Sequence, residues 1–337
     1  MANASPGEPS TLRVAFVGSL AASFAERVRA HLTEPCDIVF TDETEVVSRM
    51  PEIDVLVSLV LTRAMGAAAT RLRLVQVPGA GLDRIDRSAL PPAASLANAY
   101  GHETGIAEYV LGAMLMLARR FTGVDAALRR GIWESQWAPG VAPPPAWPEL
   151  AGKTLGILGY GRIGQAVARR ARAFDMAIMA IRRDVTRISA RTLAPDLDFL
   201  GGPGDLGEIL RRADYLALTL PLTEDTRGLL GDAALRTMKP TAVLINVSRA
   251  GIVDEEALYR ALVETRIAGA ALDVWYRYPS DTAPCFPAHL PFHELPNVLM
   301  TPHVAGWTDG TLEARAKVIA ENVHRAARGE SPVNRIQ

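Results

Sequence analysis

The run Gly159-Tyr160-Gly161-Arg162-Ile163-Gly164 stands directly between an apolar strand, TLGIL, and a helix with apolar residues at Ile163, Val167 and Ala171. A lone GxGxxG is a weak signal, but the flanking strand and helix make this one specific. Gly159 permits the tight turn, Gly161 lets backbone approach a pyrophosphate, and Gly164 allows close packing of helix on strand. The helix N-terminus then offers N–H groups and a positive dipole end to the phosphates. The chemistry implied is the binding of a dinucleotide. Cofactor choice is read about 20 residues on, at the end of the second strand. There AIMAI ends in Arg182-Arg183, with Asp184 only afterwards. Two guanidinium groups suit a 2′-phosphate and offer a free ribose diol no acceptor. NADP is therefore the expected cofactor, with NAD left open by Asp184 and by the alternative of a solvated arginine pair.

A second glycine pair, Gly79-Ala80-Gly81, follows the strand LRLVQV and lacks the third glycine. Successive backbone N–H groups there could form a nest for an anion the size of a carboxylate. From the local residues alone an ordinary turn competes with that reading. Metal chemistry is not expected: His289 and His293 stand four apart, but Pro291 between them disfavours a helical pair. Cys36 and Cys285 are too few for a disulfide framework or a Cys₄ zinc site.

The elements that must position these residues alternate along the chain. Apolar runs at 12–17, 38–40, 55–59 and 74–77 read as short buried strands, with helices at 22–32 and 63–71 between them. A second alternating unit has strands at 154–158, 177–181, 215–220, 243–246, 268–272 and 298–300, and a helix over 163–174. Such alternation implies parallel sheets covered by helices on both faces. A helix over 105–121 is apolar nearly all round, so burial on every side is expected. The Pro-rich stretch 139–148 reads as a surface connection, and GGPG at 201–204 as a flexible loop.

At 337 residues the chain is long enough for two domains. Thirty-six basic and 37 acidic residues leave a net charge of −1, which argues against nucleic acid or a polybasic membrane module as partner. Residues 1–10 lack the basic head and apolar core of a signal peptide, and no apolar run approaches a membrane span, so a soluble, cytoplasmic protein is the default.

Six stretches recur here in one order and spacing: VPGAGLDRID, GYGRIG, LPLTEDTRGLL, AVLINVSRAGIVDEEAL, GAALDVWYRYP and Thr301-Pro302-His303. Together they resemble the D-isomer-specific 2-hydroxyacid dehydrogenase family over residues 50–335. The resemblance implies an α/β fold of two doubly wound, Rossmann-like parallel-sheet domains with the active site in the cleft between them. It divides the chain into a dinucleotide-binding domain at 103–302 and a discontinuous substrate domain at 1–102 and 303–337. It places the substrate-gripping arginine at Arg249, where one guanidinium holds a carboxylate and polarises the adjacent carbonyl. It places the acid/base at His303. Gly79, Ala80 and Gly81 become the substrate carboxylate loop. Gly159, Gly161, Arg162, Ile163, Gly164, Pro221, Val247, Ser248, Asp273 and Gly306, with Arg249 and His303, become the cofactor contacts, Asp273 beside the nicotinamide carboxamide.

The usual Arg-Gly-Gly is here Arg249-Ala250-Gly251, tolerable unless Ala250 needs positive φ. Five residues after Asp273 the family has a glutamate that orients and charges the histidine; this chain has Tyr278. A phenol can hydrogen-bond imidazole but cannot favour imidazolium as a carboxylate does. The expectation is reductase activity that falls as pH rises through the histidine's titration, and that a Tyr278→Glu variant extends upward. The reaction implied is hydride transfer between NAD(P)H and a small 2-oxo acid or D-2-hydroxy acid, of glyoxylate/hydroxypyruvate type. Formate or phosphite oxidation, a dinucleotide-sensing binding protein and an inactive scaffold are the rivals. The resemblance also implies a homodimer through the long helix and the segment RGIW at 130–133. Packing is the expected use of most of Trp133, Trp137, Trp147 and Trp307.

Overall fold

The computed structural model describes residues 11–140, 142–185 and 197–337. The leader reading of residues 1–10 and one position of the Pro-rich connection, 141, lie outside them. The chain divides into two compact units: residues up to Gly101 with Thr308–Gln337, and His102–Trp307. The second crossing therefore comes five residues later than the motifs imply, and His303 and Gly306 fall in the same unit as Arg249.

In the first unit, β1 (Leu12–Val17), β2 (Cys36–Thr41), β3 (Val55–Val57), β4 (Leu74–Gln76) and β5 (Ser95–Ala97) form one sheet, ordered β2-β1-β3-β4-β5. Every pairing is parallel. β3 is buried throughout and β1 everywhere but Arg13, so both are mostly continuous apolar runs rather than alternating ones. One face is covered by the helix Ala25–His31 and by Asp309–Arg328, whose Leu312, Ala316, Ile319 and Val323 pack against Val14, Phe16 and Val57. Thr308 caps that last helix by accepting from Thr311 N at 3.2 Å, and Gly329 ends it at φ 70°. The expected helix over 22–32 is interrupted, forming Gly18–Ala22 and Ala25–His31. β5 has only three residues, too few to show a period.

The second unit holds β6 (Thr154–Leu158), β7 (Ala177–Ile181), β8 (Phe199–Gly201), β9 (Tyr215–Leu218), β10 (Val243–Asn246), β11 (Gly269–Leu272) and β12 (Val298–Met300). Their order is β12-β11-β10-β9-β6-β7-β8, again all parallel. The order reverses between β6 and β9, the switch point at which open α/β sheets place ligands. The GGPG stretch is structured rather than loose: Gly201 ends β8 and Pro203–Asp205 form a 3-10 turn.

The helix Glu103–Ala118 buries Ile106, Val110, Leu111, Met114 and Ala118 in the core shared with β6, β10 and the helix Arg162–Arg172. Burial runs round most of the helix, with Leu115 and Leu117 also packed against this core, but it is not complete. Thr104 and Glu108 are exposed, and Leu115, Met116 and Leu117 are half-buried. Arg120, at φ 48°, then breaks the chain into a second helix, Phe121–Leu128. Among the described residues, no helix is long and apolar enough to cross a membrane.

Candidate active site

Around the switch point, the strand ends and following loops carry every site residue expected in this unit. Gly159, at φ 104°, turns the chain out of β6; a Cβ there would stand 2.7 Å from Leu220 N. Its N–H and that of Tyr160 both donate to Ile181 O, at 3.0 and 2.8 Å. Those bonds bring the end of β7, and hence half-buried Arg182 and exposed Arg183, beside the glycine loop. At Gly164 a Cβ would meet Gly159 O at 2.5 Å, so close helix–strand packing requires glycine. At Gly161 a Cβ would meet nothing within 4 Å among the described residues. No side chain caps the helix Arg162–Arg172, which starts there. An open glycine before uncapped N–H groups fits a dinucleotide pyrophosphate.

Beyond β9, exposed Pro221 accepts from Thr226 Oγ1 at 2.7 Å. Buried Val247 and Ser248 follow β10, and Ser248 Oγ donates to Leu220 O. Arg249 comes next in extended backbone (φ −144°, ψ 139°). Asn246 Nδ2 donates to Arg249 O at 3.1 Å, and the guanidinium donates to Ser248 O at 2.8 Å. The non-glycine residues described with positive φ are Arg120, Asp175, Thr265, His303 and Asn334, so Ala250 needs none.

Asp273 follows β11 and is 1% exposed. Its Oδ1 accepts from Thr301 Oγ1 at 2.6 Å and Val304 N at 2.8 Å, and its Oδ2 from Ala305 N at 2.9 Å. The carboxylate thus clamps the loop that carries His303. Trp275 Nε1 donates to Thr301 O at 2.7 Å, and Tyr109 Oη lies 2.7 Å from Thr301 Oγ1. Burial pushes the Tyr109 phenol up to about 12. Within this clamp His303 adopts φ 59° and stays exposed. Gly306, three residues on, would place a Cβ 3.4 Å from that of buried His102.

Tyr278 Oη lies 2.7 Å from His303 Nδ1. The same oxygen accepts from Trp275 N at 3.4 Å. Partial burial raises the phenol above its ordinary range, with the Trp275 N–H and the Arg249 charge acting the other way. The residue that replaces the expected glutamate therefore meets the histidine directly, as a neutral hydrogen-bonding group.

In the other unit, Gly79–Gly81 follows β4. Ala99 N donates to Gly79 O at 3.1 Å and Asn98 Nδ2 to Ala80 O at 3.0 Å. The loop's carbonyls are thus tied inward, while its three N–H groups make no hydrogen bond within the described residues. A Cβ on Gly79 would stand 3.9–4.0 Å from the guanidinium nitrogens of Arg315 on the helix Asp309–Arg328. Arg315 carries no motif and is distant in sequence, so only folding shows its proximity. His289 and His293 are not a pair: His289 Nδ1 lies 2.8 Å from Glu255 Oε2, and His293 stacks on Phe286.

A family model described as "D-isomer specific 2-hydroxyacid dehydrogenase, NAD binding domain" matches residues 111–305. A glyoxylate reductase of Korarchaeum cryptofilum is 37% identical over 298 residues, covering 86% of this chain and 84% of that protein. A D-3-phosphoglycerate dehydrogenase of Methanocaldococcus jannaschii is 34% identical over 295 residues, 86% of this chain; the chain spans about half (53%) of that relative. Among solved structures, an NADPH-dependent glyoxylate/hydroxypyruvate reductase of Sinorhizobium meliloti, in complex with NADP and malonate, superposes with a TM-score of 0.78 at 28% identity, covering 97% of each chain. With its parallel sheets, its glycine loop at the switch point and matches of this extent, the chain belongs to the D-isomer specific 2-hydroxyacid dehydrogenase family.

Proposed function

We propose that the protein is an NADPH-preferring reductase of small 2-oxo acids, of glyoxylate/hydroxypyruvate type, forming the D-2-hydroxy acid. The observation that carries this reading is the Tyr278–His303 pair, which follows the C-terminal ends of the parallel strands as Arg249 and the glycine loop do. A reduced nicotinamide dinucleotide supplies the hydride when bound. Gly161 and the uncapped helix start at Arg162 and Ile163 hold its pyrophosphate, and Arg182 and Arg183 take the 2′-phosphate. Arg249 grips the substrate and polarises its carbonyl, and His303 supplies the proton. In the other unit, the N–H groups of Gly79, Ala80 and Gly81, assisted by Arg315, bind a carboxylate.

A homodimer is part of the same reading. Phe121, Leu128, Ile132, Trp133 and Trp137 are all at least half exposed in one stretch of chain and line a concavity of about 470 Å³. Trp133 and Trp137 are 60% and 77% exposed, so packing within the chain is not their use. Clustered exposed aromatics of this kind mark an interaction surface.

The test is NADPH oxidation against glyoxylate, hydroxypyruvate, pyruvate and bulkier 2-oxo acids, with formate and phosphite offered alongside NADP⁺. Turnover of a small 2-oxo acid, with NADPH favoured over NADH, is expected. Replacing Arg182 and Arg183 by alanine should reduce that preference by about tenfold or more, equivalent to roughly 1.4 kcal/mol. Oxidation of formate or phosphite without any 2-oxo acid reduction would overturn the reading.

A further inference from the structure

Among the described residues the phenol of Tyr278 has two hydrogen-bond neighbours, Trp275 N and His303 Nδ1. The Trp275 N–H can only donate, so it occupies an acceptor position on Tyr278 Oη. The remaining neighbour at hydrogen-bonding distance is His303 Nδ1, at 2.7 Å, with the rings tilted at 55° and their centroids 5.7 Å apart. With one acceptor position so used, the phenol keeps one hydrogen and one lone pair to offer, and a bare Nδ1 takes the hydrogen. A carboxylate at this place would do the opposite, since it can only accept and would require Nδ1–H.

The charged groups acting on Tyr278 are Arg249, which favours the phenolate, and Asp273, which opposes it. Asp273 has already committed its oxygens to Thr301, Val304 and Ala305. With partial burial added, Tyr278 stays neutral through neutral pH.

Resting on the reading of His303 as proton donor, we propose that Tyr278 is a positioning residue that reverses the usual polarity of the histidine. It holds the neutral imidazole as its Nε2–H tautomer and lends it a proton during the reaction. C2 of the 2-oxo acid accepts a hydride from the reduced dinucleotide, which is thereby oxidised, and the carbonyl π pair becomes an O–H bond to the Nε2 proton. As Nε2 gives up that proton, Nδ1 takes the phenolic one, so the ring stays neutral and Tyr278 is left as phenolate beside Arg249. After the product leaves, the phenolate takes its proton back from Nδ1 and water reprotonates Nε2. Tyr278 is 52% exposed and His303 is exposed, so solvent reaches both groups. No step needs imidazolium.

This scheme gives a pH course different from the one expected from residue types alone. A donor that must be imidazolium loses activity tenfold per pH unit above the histidine's titration, near about 6.5 in the unperturbed group. The relay holds activity on a plateau until Tyr278 ionises, above the ordinary phenol value of about 10.

The decisive measurement is the ¹⁵N NMR spectrum of the histidine ring nitrogens in the protein without cofactor or substrate, with His303 assigned by its loss in His303→Gln. A bare Nδ1 and a protonated Nε2 are expected. Tyr278→Phe should lose that tautomer preference, and Tyr278→Glu should invert it to Nδ1–H. In turnover, wild-type kcat should stay flat from about pH 7 to 9, while that of Tyr278→Phe falls steadily over the same range. A wild-type His303 carrying Nδ1–H, or a wild-type profile falling like that of the phenylalanine variant, would overturn the relay. The spectrum needs no substrate. Failure of every 2-oxo acid would therefore sink the proposed function alone and leave the tautomer assignment to be judged on its own.

Discussion

A Cβ at Gly161 would meet nothing within 4 Å among the described residues, whereas one at Gly164 would stand 2.5 Å from the carbonyl oxygen of Gly159. The two glycines therefore separate by consequence. Gly164→Ala forces a backbone contact and should destabilise the protein by about 1–3 kcal/mol, as overpacking does. Gly161→Val, in extended backbone, should change stability by no more than about 0.5 kcal/mol. It should nonetheless weaken NADPH binding tenfold or more, because it fills the approach to the pyrophosphate. Thermal unfolding paired with dinucleotide titration checks this; equal affinity in Gly161→Val and wild type would refute the assigned role. The type and spacing of these residues were legible in the sequence. Their separate roles were legible too; the approach of Thr219 to a Cβ at Gly164 was not, because β9 lies beside β6 only in the sheet.

At the scale of elements, the loop after β12 is held by the end of its neighbour, β11. A non-glycine residue in the left-handed region costs about 1–2 kcal/mol, and His303 sits there at φ 59°. Hydrogen bonds to a buried carboxylate contribute about 1.5–3 kcal/mol each, and Asp273 accepts three from this loop, which offsets the strain. Asp273→Asn removes the charge and turns an N–H₂ toward backbone donors. It should destabilise the protein by about 2–4 kcal/mol and lower kcat by at least tenfold. Denaturant unfolding with steady-state kinetics is the check; a variant with unchanged kcat would show that His303 does not depend on this clamp. Residue matching assigned Asp273 a place beside the nicotinamide. Its hold on the His303 loop could not be read there, because β11 and β12 become neighbours only in the sheet.

Over the whole molecule, the exposed side chains of Phe121, Leu128, Ile132, Trp133 and Trp137 determine the expected assembly. Burying such aromatics releases about 25 cal/mol per Å² of apolar surface, enough to favour association when several are covered together. Gel filtration with light scattering should give twice the 36.2 kDa chain mass, and the double variant Trp133→Ala/Trp137→Ala should move toward the monomer. A wild-type species at 36.2 kDa would remove the dimer from the reading. The helix Glu103–Ala118 belongs to the same question. Its apolar circumference suggested burial all round; the chain covers most of it and leaves Leu115, Met116 and Leu117 half-buried. Apolar content tells that a surface prefers to be covered, not whether the same chain covers it.

By itself the sequence determined the α/β alternation, most strand positions, the glycine loop with its arginine pair, and the identities of Arg249, Tyr278 and His303. The alternation and the glycine loop are local matters of period, spacing and residue chemistry, whereas Arg249, Tyr278 and His303 are picked out by resemblance to a family's motifs. Tertiary structure decided the second crossing at Trp307 rather than at residue 302, the placing of Arg315 beside Gly79, and the order of strands that creates the switch point. It also decided that Tyr278, 25 residues from His303, meets Nδ1 at 2.7 Å. Hydrogen bonds weaken steeply with distance and angle, so the chemistry of that pair exists only once β11 and β12 lie side by side.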